Sequence, residues 1–70
     1  MQTLKFNLEK EYIELNKLLK ILSIVNSGGQ ANSIISNGLV YYNGQVDRRK
    51  RLKLRKGDVI KFSDTLINIC

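Results

Sequence analysis

The apolar residues of this chain change period at Asn37-Gly38, and the change restricts the folds open to it. Before that point Leu15, Leu18, Leu19 and Leu22 fall at i, i+3, i+4 and i+7, the spacing that lines one stripe of a helix. Beyond it, Leu39-Val40-Tyr41-Tyr42, the alternating Leu52 and Leu54, Val59-Ile60-Lys61-Phe62 and Leu66 to Ile69 are short runs of strand formers, as pleated backbone requires. Helices followed by strands imply the α+β class, two short helices packed on one small, mostly antiparallel sheet. With 70 residues there is material for a single domain spanning 1–70. A domain of that size buries only roughly 60% of its unfolded surface, which leaves no deep pocket and excludes most enzyme architectures.

The element boundaries come from capping and turn residues. Leu4 and Phe6 alternate with Thr3 and Lys5 and read as a first strand. The first helix is expected from Tyr12 onward, with Glu9, Glu11 and Glu14 near its start and Lys17 and Lys20 further along matching the sign of the helix dipole. Ser27-Gly28-Gly29-Gln30 is a break followed by a capping box, so a second helix begins near Gly28, carries Ala31, Ile34 and Ile35 inward, and stops at Asn37-Gly38. Asn43-Gly44 is a hairpin turn. A two-residue turn would pair Tyr41 with Val46, whereas a three-residue loop with a glycine bulge would pair Tyr42 with Val46 and turn Tyr41 outward; period alone leaves both open. Gly57-Asp58 turns the chain before Val59. The expected core is Leu15, Leu18, Leu19, Leu22, Ile34, Ile35, Val40, Val46, Leu52, Leu54, Ile60 and Phe62.

Charge is concentrated in one place. The chain carries 12 Lys and Arg against 6 Asp and Glu, a net charge of +6. Seven of the basic residues (Arg48, Arg49, Lys50, Arg51, Lys53, Arg55 and Lys56) lie in one segment that contains no acidic residue. A charge run is often only a solvated loop. Here Leu52 and Leu54 would anchor one face in the core, so Lys53 and Arg55 project from the other on a fixed backbone, an ordered basic surface suited to phosphates. The second candidate is the start of the second helix, where Gly28 and Gly29 remove bulk beside unpaired backbone N–H groups. A Gly-Gly pair also suits a tight helix-helix turn, but Gln30, Asn32 and Ser33 lie off the apolar stripe and are placed for hydrogen bonds to a sugar, base or phosphate.

Other chemistry has few candidates. There is no His and one Cys, the terminal Cys70, so neither an internal disulfide nor a metal site is expected, and no cofactor. Asp47, Asp58 and Asp64 are scattered and have no nucleophile or base beside them, so no catalysis is expected. No signal peptide or membrane span is visible, which leads to the expectation of a soluble cytoplasmic protein with no membrane partner and no small-molecule substrate.

The ordered set Tyr12-Ile13-Glu14-Leu15 through Leu18-Leu19-Lys20, Ser27-Gly28-Gly29-Gln30-Ala31, Asn37-Gly38-Leu39-Val40, Asn43-Gly44, Arg48-Arg49-Lys50-Arg51-Leu52 and Gly57-Asp58-Val59-Ile60 resembles the alpha-L RNA-binding motif. That module is named after the small-subunit ribosomal protein S-four. The resemblance runs from about Tyr12 to Phe62 and is greatest for small stand-alone bacterial proteins of the YaaA or YbcJ type. It implies two helices on a small curved sheet, with RNA bound across the start of the second helix and the adjoining basic loop and strand. Carried over by position, the helix-start contacts fall on Ser27, Gly29, Gln30 and Asn32, and the basic loop on Arg48 to Lys56. Many relatives carry Arg or Lys early in the second helix where this chain has Gln30 and Asn32, which implies hydrogen-bonded rather than charge-assisted contacts there. Lys56 replaces a proline that often precedes Gly-Asp.

The resulting expectation is a non-catalytic, monomeric RNA-binding protein, with structured ribosomal RNA implied as the target by the resemblance alone. Two other readings compete with it. One is a DNA-binding regulator of helix-turn-helix type, against which the second helix is short and poor in base-reading Arg. The other is an adaptor whose basic face meets an acidic protein. Of the aromatic residues, Tyr12 and Tyr42 are expected in the core, and Tyr41 is the one candidate for an exposed base-stacking ring.

Overall fold

The residues beyond Gly38 form a sheet because their alternation leaves one apolar face to cover, and the two helices cover it. The computed structural model describes residues 2–70. In chain order the elements are β1 (Gln2–Phe6), β2 (Ile13–Glu14), α1 (Leu15–Ile21), α2 (Gly28–Ser36), β3 (Val40–Tyr42), β4 (Gln45–Val46), β5 (Lys53–Leu54), β6 (Val59–Phe62) and β7 (Thr65–Ile69). Five strands make one sheet in the order β1-β7-β6-β3-β4, and β2 pairs with β5 in a separate two-stranded ribbon. All pairings are antiparallel except β1 with β7. The α+β class and the mostly antiparallel sheet agree with the reading from periodicity.

The core lies between the helices and the inner sheet face, where Leu15, Leu18, Leu19, Ala31 and Ile35 meet Val40, Ile60, Ile67 and Ile69. Leu52 and Leu54 are also buried, so the basic segment is pinned as the alternation requires. Leu22, Ile34 and Phe62 from the expected core are partly buried against it. Leu8, Val25, Ile67 and Ile69 belong to the core as well but were not expected there. Leu8 and Val25 sit in loops that carry no period for a pattern to detect. One expected member is wrong: Val46 is 41% exposed, because β4 is the sheet edge and Val46 points to the outer face.

The first helix starts later than its apolar spacing suggests. Glu14 is the N-cap with extended backbone, Ile13 and Glu14 pair with Leu54 and Lys53, and the helix begins at Leu15. The reason is long-range: the first free helix donors, Leu15 N–H and Asn16 N–H, bond to the Leu52 and Lys50 carbonyls at 2.9 and 3.1 Å. Ile13 and Glu14 are therefore drawn into a ribbon. Glu9 and Glu11 precede the helix and its first turn holds no acidic residue, so of the three expected carboxylates only Glu14, at the N-cap, stands at the positive end of the dipole.

The second helix begins and ends as the caps indicate. Ser27 Oγ accepts from Gln30 N–H at 3.1 Å. The reciprocal bond is displaced by one residue, since Gln30 Oε1 accepts from Asn26 N–H at 2.7 Å rather than from the N-cap itself. Gly38 leaves the helix at φ +74°, the left-handed region that glycine occupies without a Cβ clash. The hairpin pairs Tyr41 with Val46 and Tyr42 with Gln45, and Asn43 and Gly44 both have positive φ, 50° and 91°. This is the two-residue turn. Tyr41 nonetheless lies outward, so its exposure does not depend on a bulge.

Candidate nucleic-acid interface

The loop from Asp47 to Leu52 is shaped by its own first residue. Asp47 Oδ1 accepts from Arg49 N–H at 2.9 Å and its carboxylate grips the Arg49 guanidinium, with Nη2 to Oδ2 at 2.7 Å. This bidentate contact lowers the Asp47 carboxyl pKa below its ordinary value and raises that of Arg49. Further along, Arg51 Nε meets Glu14 Oε2 at 2.8 Å, Lys17 Nζ meets Glu14 Oε1 at 3.3 Å, and Arg55 Nη1 meets Glu11 at 3.3 Å. The hydrogen bond from Arg51 is the main cause that holds the Glu14 carboxyl below its usual range. Lys53 Nζ lies 4.9 Å from the centre of the Tyr12 ring, a cation–π contact.

The basic segment is thus less bare than its sequence suggests. Arg49, Arg51 and Arg55 each have a carboxylate partner, while Arg48, Lys50, Lys53 and Lys56 have none among the described residues. Exposed pairs of this kind are worth at most about 1 kcal/mol and yield to a competing phosphate, but they orient the guanidinium groups beforehand. The Tyr12 ring, expected in the core, is 39% exposed, because its partner is the lysine across the β2–β5 ribbon.

The second candidate region keeps open donors. Gly28 N–H and Gly29 N–H have no partner among the described residues, while Gln30 N–H and Ala31 N–H are taken by Ser27. A Cβ on Gly28 would meet nothing within 4 Å, and one on Gly29 only Ser27 Oγ at 3.9 Å. Gln30 lends its Oε1 to Asn26 and keeps its Nε2 free of bonds within the described residues. Asn32 is half-buried, and its Oδ1 accepts from Asn16 Nδ2 at 3.3 Å.

Asn16 is the residue that sequence reasoning missed, and it joins the two regions. Its backbone N–H bonds to the Lys50 carbonyl in the basic loop, and its side chain bonds to Asn32 on α2. Asn16 Oδ1 is buried without a partner among the described residues. Arg48 touches the opposite end of α2, because its guanidinium lies over Gly38, where a Cβ would come within 2.7 Å of Nη2. Of the four helix-start candidates, Asn32 is therefore linked through Asn16 to the basic segment at Lys50, although the two are distant in sequence, while Ser27, Gly29 and Gln30 share its helix or its cap. No period would single out Asn16. Its only sequence mark is a polar residue beside the Leu15 stripe.

A family model described as the S4 domain matches residues 6–70. The chain belongs to the S4 domain family. Among S4 domain relatives, the putative RNA-binding protein YbcJ of Escherichia coli K12 is 35% identical over 65 residues, which cover 91% of this chain and 93% of that one. The probable ribosome maturation protein RlbA of Bacillus subtilis strain 168 is 34% identical over 56 residues, covering 80% of this chain and 79% of that one. The solution structure of E. coli YbcJ, described as revealing an alpha-L motif involved in RNA binding, superposes with a TM-score of 0.68 at 32% identity. It covers 99% of this chain and 86% of that one. The S4 domain fold of this chain is accordingly the one its motif order resembled.

Proposed function

We propose that this S4 domain chain is a non-catalytic RNA-binding protein that holds structured RNA, ribosomal RNA in particular, across the start of α2 and the basic segment. The observation that carries the reading is the Asn16 junction, which ties a cation-rich loop to α2, the helix whose start keeps unused N–H groups. The paired glycines support it. Gly28 and Gly29 open the helix directly after its N-cap, yet no side chain or backbone around them needs the space that the missing Cβ atoms leave. Close approach of an external sugar-phosphate backbone would use that space and those donors.

In this reading Arg48, Arg49, Lys50, Arg51, Lys53, Arg55 and Lys56 meet phosphates, and Ser27, Gly29, Gln30 and Asn32 supply hydrogen bonds at one defined point. The first group sets affinity and the second sets which RNA shapes fit. The names of YbcJ and RlbA support RNA as the ligand and a ribosomal setting. The protein acts by positioning, as a monomer. Among the described residues no helix is long and apolar enough to cross a membrane, and no group of three or more His, Cys, Asp or Glu is placed to hold a metal ion.

Competition binding tests the proposal, with a ribosomal RNA junction fragment, a plain RNA duplex, a DNA duplex of the same sequence and anionic vesicles. The junction should bind tightest. Gln30→Ala and Asn32→Ala, checked for folding by thermal melts, should weaken junction binding more than duplex binding, whereas Arg49→Ala weakens both alike. Equal binding of RNA and DNA duplexes, with equal losses for all variants, would leave only a general polyanion surface.

A further inference from the structure

The outer face of the five-stranded sheet, turned away from the helices, carries a row of residues that the interface above does not use. Tyr41 pairs with Val46 on one side and Lys61 on the other, and Lys61 pairs with Leu66. Directly paired residues share a face. Tyr41 is 42% exposed although it is flanked on both sides, so the ring is held on the surface rather than covered. Beside it lies a depression of about 480 Å³ lined by Gly38, Leu39, Tyr41, Lys61, Phe62 and Ser63. Leu39 is exposed as well, and no carboxylate lines the depression.

Gly38 decides what suits this place, because it forms one wall of the depression and also carries the Arg48 guanidinium. Arg48 does not itself line the depression but meets Gly38, which does, so one cation of the basic segment stands next to it. The geometry points to a second subsite, in which an unpaired nucleotide flanking the structured RNA stacks its base on Tyr41, with Lys61 and Arg48 on the adjoining phosphates. The subsite rests on the RNA-binding reading but adds a different ligand, single-stranded RNA. An aromatic ring in an anion-attracting, carboxylate-free hollow is what stacking recognition of single strands uses, and stacking tolerates any base.

The chain has no tryptophan, so Tyr41→Trp makes the subsite its own reporter. The test compares one RNA hairpin, blunt or carrying a short tail of unpaired uridines. The tail should raise affinity by roughly five- to a hundredfold per stacked base and should quench the emission of the introduced indole, while the blunt hairpin does neither. Tyr41→Ala should remove the tail increment and leave blunt-hairpin affinity unchanged. Tyr41→Phe should keep the increment, and Lys61→Gln should reduce it a few-fold.

Normal binding of the blunt hairpin with no tail increment would overturn the subsite alone. Failure of both RNAs to bind would overturn the RNA-binding reading and the subsite with it. Two other outcomes would also overturn it. Quenching by an oligoglutamate peptide that displaces the tail would assign the hollow to an acidic protein, and emission that changes with protein concentration alone would assign it to a second copy of the chain.

Discussion

Asp47 and Glu14 show how single carboxylates govern a basic surface. Asp47 is bonded to both the backbone and the guanidinium of Arg49, and its folded-state pKa lies below the unfolded value. A carboxyl depressed in this way stabilises the fold above the unfolded aspartate range of roughly pH 4, and the contribution disappears as pH falls through the lower folded value. Asp47→Asn should therefore be less stable than the parent near neutrality and converge with it in strong acid, as urea unfolding at a series of pH values would show. Glu14 bears on the proposed RNA interface instead. It holds Arg51 and Lys17 together, so Glu14→Gln should free both cations, raise affinity for unrelated RNAs a few-fold at low salt and narrow the preference for any one of them. If affinity for all RNAs fell, the carboxylate would be needed to present Arg51 rather than to restrain it.

At the scale of elements, the β2–β5 ribbon is two residues long on each strand yet organises the site. Leu54 is fully buried, and its neighbours Lys53 and Arg55 are aimed outward by that anchorage. Leu54→Ala should cost about 2–5 kcal/mol, measured by chemical denaturation. Amide exchange at Glu14 and Lys53 should quicken first, since these residues pair across the ribbon. Loss of stability without faster exchange there would mean that the basic segment is held by its ion pairs. This ribbon was not legible in the sequence. Tyr12, Ile13 and Glu14 continue the helical spacing of Leu15 to Leu22, and only the Lys50 and Leu52 carbonyls, distant in the chain, make extended backbone the better choice. The second helix was legible because Ser27, Gln30 and Gly38 act within a few residues of themselves.

At the scale of the whole molecule, the net charge of +6 makes salt the sharpest test. If about 4 to 6 cations meet phosphate, log K should fall with log salt at a slope of roughly −3 to −5, and Arg49→Ala or Arg51→Ala should shallow it by about one unit at most. A slope near zero would remove electrostatics from the account. Cations at this density were plain in the residues from Arg48 to Lys56, as were the α+β class and the turn positions, because period, caps and turn residues act through neighbours in the chain. The tertiary structure decided the rest: that Glu11, Glu14 and Asp47 restrain three of the arginines, that Asn16 joins the basic loop to α2, that Val46 and Tyr12 stay exposed, and that Tyr41 lines a hollow whose Gly38 wall meets Arg48. These are contacts between segments far apart in sequence. Their partners are chosen by how a shared core brings backbones together, which no local pattern encodes.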